Sequence, residues 1–188
     1  MVKDGMNSFG WFRRATLVAA ATLGLAGSAV AGKAHEHGLA RLDVAVDPAR
    51  VTIELDAPLE DLLGFERAPR TEAERVKVNA VLTRLRAGDT LFRIDPAAGC
   101  TLARATLVSL PLGLGAPPAG SGAAVGDHGD LNAVYEFTCT AGARAGFVEV
   151  GLFEAFAGFK RIELQLATPR GQMQATLRRP ASRVALLR

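Results

Sequence analysis

The sequence predicts an α+β domain that is mainly antiparallel β: a sandwich-like sheet of about seven or eight strands, with one packed helix near residues 71–87. Three observations predict it. Short runs of apolar/polar alternation recur along the chain, turn chemistry separates most of them, and one stretch has helical rather than two-residue periodicity.

The first run places Ala40, Leu42, Val44 and Val46 on one face, with Arg41 and Asp43 on the other. Asp47-Pro48-Ala49-Arg50 supplies a turn, and Val51, Ile53, Leu55 and Ala57 resume the apolar face, so a hairpin with one wet face is expected. A connection from Pro58 to Pro69 carries Leu62, Leu63 and Phe65. In the helix, Thr71 and Glu74 have capping-box spacing, Val78, Val81, Leu82 and Leu85 form one stripe, and Gly88 is the expected terminator. Strands follow at Thr90–Ile94 and Cys100–Leu110, then at 131–139, where Leu131, Ala133, Tyr135, Phe137 and Cys139 face inward. Residues 147–150 form a short strand and 151–156 a helical turn or irregular segment. Residues 162–166 and 173–177 alternate across the turn Thr168-Pro169-Arg170-Gly171. The last ten residues read as a basic tail without periodicity.

Between the cysteine strands, Pro and Gly make up nine of the twenty residues 111–130, so a flexible loop that packs no core is expected there. Pairing the two strands antiparallel across this loop sets Cys100 against Cys139 and Ser109 against Asp130, and a disulfide would then tie the open ends. A pair of thiolate metal ligands is the alternative.

Residues 1–31 read as a secretory signal. Lys3, Arg13 and Arg14 precede the apolar core Ala15 to Gly24, and Ala29-Val30-Ala31 has the small-x-small form of a cleavage site. That core is too short for a spanning helix, so no stable membrane insertion is expected after cleavage, and a periplasmic location is. Removing the segment takes away three basic residues and one acidic residue. Residues 32–188, read as a single domain, keep 19 Lys+Arg against 18 Asp+Glu, a net charge of +1, with no basic run interleaved with aromatics; nucleic-acid binding is not expected.

Catalysis is not expected either. No Gly-rich loop follows a strand and opens a helix, Ser109 and Ser121 lack a nucleophile-elbow context, and Glu60-Asp61 reads as solvated surface. Two of the three histidines, His35 and His37, flank Glu36 just after the predicted signal. Two neutral imidazoles, with oxygen from Glu36 or Asp127 and a third nitrogen from His128 in the loop, would suit Zn²⁺. Ordinary polar surface is the bland alternative. Cleavage after Gly32 would instead leave Lys33-Ala34-His35 as a terminus suited to square-planar Cu(II) or Ni(II).

The order of the pieces resembles the ZrgA-like family of exported bacterial proteins, associated with zinc uptake. The matching stretches include His35-Glu36-His37-Gly38-Leu39-Ala40, Leu63-Gly64-Phe65-Glu66-Arg67-Ala68-Pro69, Ala98-Gly99-Cys100-Thr101-Leu102, Tyr135-Glu136-Phe137-Thr138-Cys139, Gly151-Leu152-Phe153-Glu154-Ala155-Phe156 and Leu166-Ala167-Thr168-Pro169-Arg170-Gly171-Gln172. The resemblance implies a zinc-binding accessory protein with a zinc-uptake transporter component as partner. Two departures reduce the implied zinc capacity. The loop commonly rich in His, Asp and Glu keeps only Asp127-His128-Gly129-Asp130, and Arg67 stands where members often have histidine. An envelope scaffold or interaction module of the same fold, without a metal site, is the rival expectation.

Overall fold

The computed structural model describes residues 36–115 and 129–186. The predicted signal segment, His35, Asp127, His128 and the middle of the Pro/Gly loop lie outside the described residues.

Alternation builds the larger sheet. Strands β1 (Leu39–Asp47) and β2 (Arg50–Pro58) form the expected hairpin, with Asp47 opposite Arg50 and Leu42, Val44, Ile53 and Leu55 all buried. On the far side of β2 come β5 (Asp130–Cys139) and then β4 (Cys100–Val108), both antiparallel. On the far side of β1 comes β7 (Arg161–Thr168), which pairs antiparallel with β8 (Gly171–Arg178). The order is β4-β5-β2-β1-β7-β8. The β1–β7 pair is parallel, Leu42 opposite Leu164, which departs from the antiparallel expectation. Alternation carries no strand direction. Direction here comes from Gly38, whose carbonyl accepts the Lys160 and Arg161 N–H groups at 2.8 and 3.0 Å and so starts both strands at one end.

A second sheet joins β3 (Phe92–Ile94), β6 (Phe147–Val150) and β9 (Arg183–Ala185) in the order β3-β6-β9. The described residues therefore hold nine strands in two sheets, a β-rich α+β fold, in place of one sheet of seven or eight. Strand β9 corrects the reading of a featureless tail: Val184 and Leu186 are buried, but they sit in the unbroken apolar run Val184-Ala185-Leu186-Leu187, which shows no alternation. Val148, Val150 and Val184 of the small sheet share one hydrophobic cluster with the larger sheet.

Four short helices complete the described residues: α1 (Leu59–Leu63), α2 (Glu72–Arg86), α3 (Gly88–Leu91) and α4 (Leu152–Ala155). In α2 the Thr71–Glu74 capping box is present, and Val78, Val81, Leu82 and Leu85 are the buried stripe, as expected. Gly88 is not the terminator, because Ala87 caps α2 and Gly88 opens α3. Its glycine identity has another cause: a Cβ there would lie 2.3 Å from the Tyr135 ring, which packs 4.9 Å from Phe92 in the core. No helix among the described residues is long and apolar enough to cross a membrane.

The cysteine strands pair as expected. Cys100 faces Cys139 in a disulfide with a Cα–Cα separation of 3.9 Å, which removes the thiolate-ligand alternative. The register then slips by one at a bulge between Leu102 and Arg104, so Val108 faces Asn132 and Ser109 no longer sits opposite Asp130. The Ser109 hydroxyl still donates to the Asp130 carbonyl at 2.8 Å. The loop's first residues are ordered, contrary to expectation: Ser109 bridges to Leu114, and Leu112 and Leu114 pack against the core.

Candidate metal site

Helix α1 is the junction of this molecule. It follows β2 without a linker, and its buried Leu59, Leu62 and Leu63 fix it to the core. Gly64, at φ +77°, ends it in the left-handed conformation that glycine supplies. With the helix fixed, Asp61 projects from it half-buried, while Glu60 is exposed.

Asp61 receives the predicted histidine turn. Its Oδ2 accepts the Gly38 N–H at 2.6 Å. The Leu39 N–H donates to the Glu36 carbonyl at 3.1 Å, so Glu36–Leu39 is a turn with His37 and Gly38 at its centre. Gly38 has φ +86°, which favours glycine at the third position of such a turn. His37 is exposed, but its backbone is tied on both sides. Burial raises the Asp61 carboxyl above the ordinary carboxylate range, while the Gly38 N–H and the charge of His37 pull it down. Asp61 thus holds the backbone next to His37, so a nitrogen-bearing and an oxygen-bearing side chain belong to the same turn-and-helix contact.

The same helix receives the chain just after His128. The Leu59 N–H, two residues before Asp61, donates to the Gly129 carbonyl at 2.8 Å. The Glu66 carboxyl covers Gly129, where a Cβ would lie 3.0 Å from the Glu66 Cδ. The residues following His37 and His128 thus both hydrogen-bond to the first turn of α1.

Glu36 does not serve as expected. Its carboxylate pairs with Arg161 Nη2 at 2.8 Å, and that guanidinium also holds Glu163 at 3.1 Å. A carboxylate committed to an arginine is a poor metal ligand beside Asp61, which the sequence reading placed on solvated surface. The residue type and its neighbours Leu62 and Leu63 were legible; the partner 23 positions away was not. Arg67 turns away from the junction. It pairs with both Glu74 oxygens, at 2.9 and 2.7 Å, and lies 5.0 Å from the Phe65 ring centroid. That pairing, with the Arg70 and Thr71 N–H groups, lowers Glu74 to about 2. Arg67 is therefore part of the α2 cap.

His37 nitrogen and Asp61 oxygen are chemically suited to Zn²⁺, which takes a tetrahedron of such donors. Together they would supply at most two of its four donors. Among the described residues, no group of three or more His, Cys, Asp or Glu is arranged to hold a metal ion. His35, Asp127 and His128, the other candidate donors, lie outside the described residues.

A family model described as ZrgA family zinc uptake protein matches residues 34–186. No curated protein matches the chain. The matched span takes in the histidine turn, α1, both cysteine strands and β9. The chain belongs to the ZrgA family of zinc uptake proteins.

Proposed function

We propose that this protein is a periplasmic, non-catalytic zinc-binding accessory of zinc uptake, exported by residues 1–31 and handing Zn²⁺ to a transporter component. His35, His37 and His128 supply nitrogen, and Asp61 takes the oxygen role first read for Glu36, with Asp127 as the loop's own donor. The observation that carries this reading is the convergence on α1: Gly38 bonds Asp61 and Gly129 bonds Leu59. Two chain segments that each carry histidine are thereby led to one helical turn. The non-catalytic reading rests on the exposure of His37 on a surface turn, where water screens an imidazole.

The test is calorimetric titration of the purified protein with Zn²⁺, repeated on His35→Ala/His37→Ala. We expect binding tighter than about 100 µM, lost in the double variant. Equal binding by both proteins moves the site elsewhere. Absence of binding in the wild type assigns the chain to the rival class, an envelope scaffold of the same fold.

A further inference from the structure

The outer face of the larger sheet carries a second feature, away from α1 and independent of the zinc reading. An open trough of about 560 Å³ crosses β2, β1, β7 and β8. Register partners set its layout. Glu54, Asp43, Gln165 and Gln174 stand in one row across the four strands. In the next row Ala45 and Ala167 lie side by side and make the floor.

Charge decides what the trough accepts. Asp43 and Glu54 are directly opposed, an arrangement that destabilises a sheet. Neither has an ion pair among the described residues, and no Lys or Arg lines the trough. Elsewhere on this face two acids are matched, Glu163 by Arg41 and Arg161 and Glu136 by Arg104, and Asp56 stands opposite Arg41 in the register. The trough therefore sets two directly opposed carboxylates, with no basic residue lining it, beside glutamine amides that can hydrogen-bond a backbone.

Shape decides between ligand classes. Small-molecule sites enclose most of their ligand, whereas Asp43, Gln165 and Gln174 are exposed and the trough runs out at β8, the edge strand of the sheet. Four strands span about 14 Å, the length of some four or five extended residues. We propose that this trough docks a short basic segment of a partner protein, with its lysine or arginine heads on Asp43 and Glu54 and its backbone against the glutamines.

The test uses fluorescence anisotropy of the purified protein with a labelled pentapeptide alternating lysine and serine, and with its glutamate counterpart. The lysine peptide should bind and the glutamate peptide should not. Asp43→Asn/Glu54→Gln should weaken the lysine peptide about tenfold without lowering the thermal midpoint, because the variant relieves repulsion. Several results overturn the proposal: no binding of the lysine peptide up to about 1 mM, equal binding of both peptides, or a double variant that binds as wild type. Spermine competing as tightly as the peptide would reassign the trough to small cations. Self-association of the wild type that disappears in the double variant would reassign it to a second copy of this chain.

Discussion

Asp61 on α1 and Glu149 on β6 are both acids that join separate parts of the chain, and they do it in opposite ways. Glu149 sits between two neighbouring strands and takes a guanidinium from each, Arg93 of β3 at 3.1 Å and Arg183 of β9. Those arginines hold its carboxyl below the ordinary range. Asp61 takes one backbone N–H, and burial holds it above that range. An ionised carboxylate offers about four lone-pair directions. Glu149 has spent its own on charge-assisted bonds and serves as a staple across the small sheet. Asp61 has spent one, on the Gly38 N–H in the histidine turn, and the proposed zinc site would draw on the rest.

The contrast breaks most severely if the support of Asp61 is displaced. Gly158 packs against the back of α1, where a Cβ would lie 2.2 Å from the Asp61 carbonyl oxygen. The contact is with backbone, so the helix must move. Gly158→Ala should cost about 2 kcal/mol of stability, read by urea denaturation, and weaken Zn²⁺ binding as well. Gly88→Ala, which meets the Tyr135 ring in the core instead, should destabilise comparably and leave the Zn²⁺ affinity of the folded protein in place. Loss of zinc binding in both variants would show that the junction has no private geometry.

A gentler change separates ligand from staple at Asp61 itself. Asp61→Asn keeps an acceptor for the Gly38 N–H and removes the charge. Stability should change by less than about 1 kcal/mol, while Zn²⁺ affinity measured by calorimetry should fall about tenfold. Glu36→Gln should leave that affinity nearly unchanged, since its carboxylate already belongs to Arg161. If Glu36→Gln proved the more damaging of the two, the ligand would be the residue first read from the sequence.

How far the sequence reaches follows from the range of each interaction. Alternation in Leu42, Val44, Ile53 and Leu55 is written within a few residues, and so is the Thr71–Glu74 cap; both were legible. The disulfide was legible because the two cysteines stand at the outer ends of two alternating runs that pair across one loop; the bulge between Leu102 and Arg104 was not, and it shifts only the pairs on the loop side of it. The parallel partner of β1 was not, because it depends on a Gly38 carbonyl meeting Lys160 and Arg161, over a hundred residues away. At the site, His37 announced itself by residue type. Asp61 looked like half of an ordinary acidic pair, and only its burial and its bond to Gly38 distinguish it from Glu60.

The smallest effect tests the staple. The Glu149 carboxyl titrates in the folded state below its ordinary value of 4.5. A depressed carboxyl contributes stability that is present above the unfolded value and is lost as pH falls through the folded one. Because Glu149 is exposed to solvent screening, the contribution is modest and best seen as a trend. Urea midpoints of wild type and Glu149→Gln should differ near neutrality and converge as the pH falls below about 4.5, while Zn²⁺ affinity at neutral pH stays the same in both. A gap that persists unchanged into acid would mean that the two arginines hold Glu149 by shape and packing. Its charge would then matter no more to the small sheet than the amide that replaced it, and the distinction from Asp61 would rest on geometry alone.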